Sequence, residues 1–186
     1  FSAFDIAMDA LSDASLRISS ETYQRLLIAA GEQTLDVAVG LHVGECIKPG
    51  QYGVLGYAVM SSKTVEEAFA RHERYENLVS NRAVSRYNLS DEQVSLTWDT
   101  GDTPISHHMA EENVAAWVTY SRWITGLSIS PTEIHFTHSA PDYLAEYERL
   151  FNCPVLFDQP IVALIFPRDY LSLAIVQHDP VMREMM

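Results

Sequence analysis

The chain has 186 residues, of which 47% are hydrophobic and 10% aromatic. A chain of this length buries about 70% of its unfolded surface, enough for one folded domain, and this apolar content excludes a disordered polymer. Its 25 acidic residues against 12 Lys and Arg give a formal net charge of -13, which excludes the clustered cationic surface that nucleic-acid phosphates require.

Residues 16–30 read as a helix, with Leu16, Tyr23, Leu26, Leu27 and Ala30 on one stripe, Ser19 or Ser20 as N-cap and Gly31 as a stop. Residues 35–43 are apolar with small side chains and fit a helix or a strand. Lys48-Pro49-Gly50 is a turn. The apolar stretch 50–62 contains Gly53 and Gly56, where positive φ or close packing calls for glycine. Thr64-Val65-Glu66-Glu67 is a capping box, Thr64 reaching forward and Glu67 back to free backbone N–H groups. The helix it opens carries Val65, Ala68, Phe69, His72, Tyr75 and Val79 at helical spacing and should end near Asn81.

Alternation then takes over. Residues 83–89 and 94–98 form a hairpin around Ser90-Asp91-Glu92. A long helix over 106–125 places Val114, Trp117, Val118 and Ile124 inward and stops at Gly126. Residues 133–137 are a short strand. Pro141 sits in the first turn of a third helix that presents Leu144, Tyr147, Leu150 and Phe151. Residues 155–157 and 163–166 are short strands, and Asp179-Pro180 opens a last helix. Helices mixed with strands that need no crossover give an α+β single domain, a mainly antiparallel sheet packed with several helices.

The chemistry-bearing residues form no catalytic constellation. Cys46 and Cys153 lie far apart without ligand spacing and read as two buried, reduced thiols, which suits the cytoplasm. Apolar runs such as 161–166 are too short for a bilayer, and no basic-then-apolar leader opens the chain. With Phe1 first and Met186 last, it reads as a piece of a longer protein. His107 and His108 are adjacent, so on a helix their side chains diverge by about 100°. His135 and His138 would face opposite sides of a strand. With no HExxH or His-x-His pair, no metal site is expected. Glu66-Glu67 and Glu111-Glu112 read as solvated helix faces. No Gly-x-Ser-x-Gly elbow occurs, the apolar setting of Cys153 should raise its pKa, and residues 50–56 lack a phosphate-loop pattern. Neither catalytic residues nor a cofactor are expected.

The aromatic residues suggest binding instead. Tyr57, Met60, His72, Tyr75, Trp98, Trp117 and Tyr120 sit on faces that can meet around a cavity, with His72 and the Tyr hydroxyls orienting a small molecule. The competing arrangement is a filled core with His72 hydrogen-bonded inside it. An anionic ligand would need a cationic spot from Arg74, Arg82, Arg86 or Arg122.

One ordered set of motifs points further. Gly40-Leu41-His42-Val43-Gly44, the phrase from Pro49 to Tyr57, then Thr64, Glu67, Ala68 and Tyr75 are followed by His138-Ser139-Ala140-Pro141. Next come Ala145-Glu146-Tyr147, Leu150-Phe151, Cys153-Pro154-Val155-Leu156-Phe157, Ala163-Leu164-Ile165-Phe166 and Asp179-Pro180. Over roughly three quarters of the chain this order resembles the N-terminal effector domain of AraC-type transcription regulators. The resemblance implies that residues 1–186 bind a small-molecule effector or mediate homodimerisation. It also implies that a C-terminal helix-turn-helix module, absent from this chain, binds promoter DNA in the cytoplasm, with no membrane partner. The alternative it leaves open is a ligand-free dimerisation platform, with 106–125 or the N-terminal helix as an exposed apolar interface.

Overall fold

Strands β1 (Val84–Leu89), β2 (Gln93–Asp99), β3 (Glu133–His135), β4 (Val155–Leu156) and β5 (Val162–Pro167) form one sheet ordered β1-β2-β5-β3-β4. The computed structural model describes residues 4, 6, 16–78, 84–101 and 104–176. Every strand pair is antiparallel except β3 with β4. The hairpin turn is closed by Ser90, whose N–H donates to the Gln93 carbonyl while its Oγ accepts the Gln93 N–H at 3.0 Å. Among the described residues six α-helices accompany the sheet: α1 (Ser20–Thr34), α2 (Val39–Glu45), α3 (Gly53–Met60), α4 (Val65–Tyr75), α5 (His107–Thr125) and α6 (Leu144–Phe151). The expected α+β domain with a mainly antiparallel sheet is the fold observed.

Several boundaries differ from expectation for local reasons. Ser19 caps α1 by accepting the Thr22 N–H at 3.0 Å. The helix runs through Gly31 rather than stopping there, and ends at Leu35, which takes the left-handed conformation with φ 57°. The ambiguous stretch 35–43 leads into α2, and the glycine-punctuated one holds α3, entered through Gly53 at φ 51°. Gly56 lies inside α3 and is buried. Thr64 caps α4 as its sequence indicates, but Glu67 reaches the Lys63 N–H, one residue further back. That helix stops at Tyr75 and tightens into a 3-10 turn over Glu76–Leu78. Val79, Asn81, Ala83 and the Asp179-Pro180 helix start lie outside the described residues. Pro141 precedes α6 instead of sitting in its first turn. Leu144 is exposed, leaving Tyr147, Leu150 and Phe151 as the buried face.

Helix α5 is the centre of the molecule. Ser106 caps its start, and Gly126, in the left-handed region that glycine tolerates, ends it. Its Val114 and Val118 share one core with Val94 and Leu96 of β2, Ile134 of β3 and Leu164 of β5. Helix α2 lies against α5 at the closest approach backbones allow. A Cβ on Gly40 would meet the His108 carbonyl oxygen at 2.2 Å, and one on Gly44 the Glu112 carbonyl oxygen at 2.4 Å. Because α5 is buried in this way, it is not the exposed apolar interface considered from the sequence.

Helix α6 is tied to the rest by charge. Arg149 pairs both guanidinium nitrogens with Glu45 of α2 at 2.9 and 2.7 Å, and its Nε with Glu146 at 2.7 Å. Arg122 of α5 donates to the Leu150 and Phe151 carbonyls at the C-terminal end of α6. Both cysteines are free; Cys46 is exposed rather than buried because it sits just past the end of α2. Among the described residues no single helix is long and apolar enough to cross a membrane. Helices α1 and α2 together have the length and composition but are bent by 105°, and both pack on α5.

Candidate functional site

Three stripes of side chains converge on one interior space. On α5, Asn113, Ala116, Trp117 and Tyr120 follow each other at helical spacing. On α4, Val65, Ala68, Phe69 and His72 do the same. Period-two alternation on β2 turns Leu96 and Trp98 to one face, with Leu164 of β5 opposite Leu96. Leu55, Gly56 and Val59 of α3, Val43 of α2 and Tyr23 of α1 complete the wall. The cavity, open to solvent on one side, has a volume of about 850 Å³, within the range of small-molecule sites.

Few polar groups face it, and their states are set by burial. His72 has no hydrogen-bond partner among the described residues, and burial pushes its imidazole down to about 4, so it is neutral at neutral pH. The Glu112 Oε1 atom accepts the Tyr23 hydroxyl at 2.8 Å, and burial raises the Glu112 carboxyl above its ordinary value. Burial, with Glu112 beside it, likewise raises the Tyr23 phenol. Tyr120 donates to the Gly56 carbonyl at 2.8 Å. The buried Asn113 Nδ2 has no acceptor among the described residues. At the cavity edge, both Glu76 oxygens accept the Ser85 N–H, at 3.3 and 3.0 Å.

Of the seven residues singled out in the sequence, His72, Trp98, Trp117 and Tyr120 line this cavity. Tyr57, Met60 and Tyr75 do not. Helix α3 turns Leu55, Gly56 and Val59 inward, which leaves Tyr57 50% exposed on the outer side. Met60 and Tyr75 pack instead on a second cluster formed by Leu55, Val59, Ala68, Ile124 and Ile175. Sequence reasoning missed Tyr23, Glu112 and Asn113. A signal existed: Met109, Glu112, Asn113, Ala116, Trp117 and Tyr120 form one continuous stripe of α5. Of the four arginines proposed for an anion, Arg122 is spent on the α6 carbonyls. Arg74 lies over the Tyr75 ring at 5.3 Å, Arg86 is exposed on β1, and Arg82 is outside the described residues.

A second polar constellation lies at the start of α5. Glu111 is fully buried, not solvated. Its Oε1 accepts the Tyr143 hydroxyl at 2.6 Å and the Tyr147 hydroxyl, and its Oε2 faces His108 Nδ1 at 3.2 Å. These hydrogen bonds hold its carboxyl below the ordinary value although burial opposes them. The His107 and His108 rings do not diverge, their centroids lying 3.9 Å apart, and His138 lies beyond the end of β3 with its ring 5.7 Å from His107. One possible ligand atom from each of His107, His108 and Glu111 lies within 4.8 Å of the others. Both Glu111 oxygens are already engaged, so the group reads as a clamp between α5 and α6. Outside this clamp, the Cys153 thiol is pushed up to about 11 by burial, as its apolar setting implies, which makes it a poor nucleophile.

Residues 1–175 match the family described as the arabinose-binding domain of AraC transcription regulators, N-terminal. The ornithine utilization regulator of Pseudomonas aeruginosa is 23% identical over 183 residues, covering 97% of this chain and 54% of the relative. The crystal structure of the transcriptional regulator CdpR from Pseudomonas aeruginosa superposes with a TM-score of 0.72 at 20% identity, over 95% of this chain and 57% of that one. The chain therefore spans about half the length of these regulators.

Proposed function

This chain belongs to the family of N-terminal arabinose-binding domains of AraC transcription regulators, and from that premise we propose that it is the ligand-sensing half of such a regulator. The observation that carries the reading is the interior cavity of about 850 Å³, walled by the sheet and by α1 to α5. A small molecule there is within reach of five helices and three strands. It stabilises whichever arrangement of them it fits best, and it moves the equilibrium only as far as its affinities for the two arrangements differ. In this reading the domain is a binding module without catalytic residues or cofactor, and it acts in the cytoplasm. Promoter DNA is bound by a C-terminal helix-turn-helix module outside these residues, in keeping with the net charge of -13 on this half. Two copies pair so that paired half-sites are read together.

A thermal-shift screen against sugars, amino acids, amines and fatty acids tests this. A ligand at a hundred times its Kd should add about 2.7 kcal/mol, raising Tm by about 5–11 °C. A saturable hit that calorimetry confirms, and that His72→Ala and Trp117→Ala weaken, supports the sensor. A uniformly negative screen, with a Tm that rises with protein concentration, supports a ligand-free dimerisation platform instead.

A further inference from the structure

The polar wall of the cavity carries information about what it binds, beyond the proposal that it binds something. Glu112 sits mid-wall on α5, between Met109 and Ala116. One of its oxygens accepts the Tyr23 hydroxyl at 2.8 Å, and the other has no partner among the described residues. Glu76 brings a second carboxylate to the same space, already satisfied by Ser85.

Against these acids the described wall offers little positive charge. Arg17 is exposed at the edge, its guanidinium turned to the carbonyls of Leu16 and Leu78. His42 is engaged by Asp36 at 2.7 Å and by Glu146 at 3.2 Å. His72 has no acid beside it to hold a proton. None of Arg74, Arg86 and Arg122 lines the cavity.

Beside Glu112 a ligand carboxylate or phosphate would therefore meet like charge, with the Arg17 guanidinium only at the exposed edge of the cavity, at a cost that rises in an apolar setting. A wholly apolar ligand would strip water from the free Glu112 oxygen and give it nothing in return. A protonated amine supplies both a donor and a neutralising charge, and charge-assisted hydrogen bonds are the strong ones. We propose that the effector is an amphipathic amine, its ammonium group paired with Glu112 and its apolar body lying against Leu55, Trp98 and Trp117. This inference rests on the sensor reading and narrows it.

Matched probes separate the two. n-Octylamine, n-octanol and octanoate share one apolar body and differ in head group, and each is titrated at pH 7.5 by calorimetry and thermal shift. The expected result is saturable binding of octylamine, weaker octanol and undetectable octanoate. Glu112→Gln should weaken octylamine by about tenfold or more while leaving octanol unchanged, the retained octanol binding showing that fold and cavity persist. Ile47→Trp, which adds bulk at the wall, should weaken both. If octanol or octanoate binds as tightly as octylamine and Ile47→Trp blocks it, the amine assignment is overturned and the sensor reading stands. Equal loss of octylamine and octanol in Glu112→Gln also overturns it. If no probe binds, or Ile47→Trp changes nothing, the cavity is not the binding site and both readings fall.

Discussion

His72 carries a neutral imidazole into a wall that gives it no partner, and that state has a measurable signature. Its folded pKa lies near 4 against an ordinary value of 6.5. Between those values the unfolded chain takes up a proton that the folded domain refuses, so stability falls as pH drops through 6.5 and levels off below about 4. Urea denaturation at pH 7.5 and pH 5 should show His72→Leu losing less stability over that interval than the parent domain. An unchanged difference between the two pH values would mean that His72 is protonated in the fold. Glu111 shows the opposite treatment of a buried titratable group: two tyrosine hydroxyls and His108 satisfy it, so it remains ionised inside the protein. No sequence pattern separates these two cases, because the tyrosine partners of Glu111 lie 32 and 36 residues away on the α6 side.

Among the elements, the contact between α2 and α5 decides most. Gly40 and Gly44, one turn apart, remove the side chains that would hold the two helices apart. Gly44→Ala puts a Cβ 2.4 Å from the Glu112 carbonyl oxygen and 2.6 Å from the Ala115 Cβ. Neither neighbour is the free end of a flexible side chain. The gain in helix propensity, about 1 kcal/mol, is outweighed, and a net loss of about 1–3 kcal/mol is expected in urea titrations. A stabilised variant would show that α2 slides off α5 at little cost. Capping and periodicity made α4, α5 and the β1–β2 hairpin legible from the residues. Helix α3 was not legible, because an apolar segment with one glycine at its start and one inside has no polar face to give it a period.

At the scale of the whole molecule, the cavity is lined by α1 to α5, β1, β2 and β5, whereas α6 and β4 stand apart from it. A bound ligand should accordingly slow amide hydrogen exchange in α3, α4 and α5 and leave β4 and α6 unchanged. Equal protection everywhere would indicate global stabilisation without a local site. The sequence by itself determined the α+β class, the hairpin, the central helix with its glycine stop and the family resemblance. All of these depend on periodicity and on chemistry within a few residues of each other. It also supplied His72, Trp98, Trp117 and Tyr120 as aromatic or polar side chains on apolar faces. Only the tertiary structure decided that these four meet while Tyr57, Met60 and Tyr75 do not. Helix phase is fixed by packing against distant elements, and 100° of rotation moves a residue from wall to solvent. It alone decided, too, that Glu112 faces a cavity and Glu111 a cluster of hydroxyls, because a carboxylate's role depends on neighbours that come from other segments of the chain.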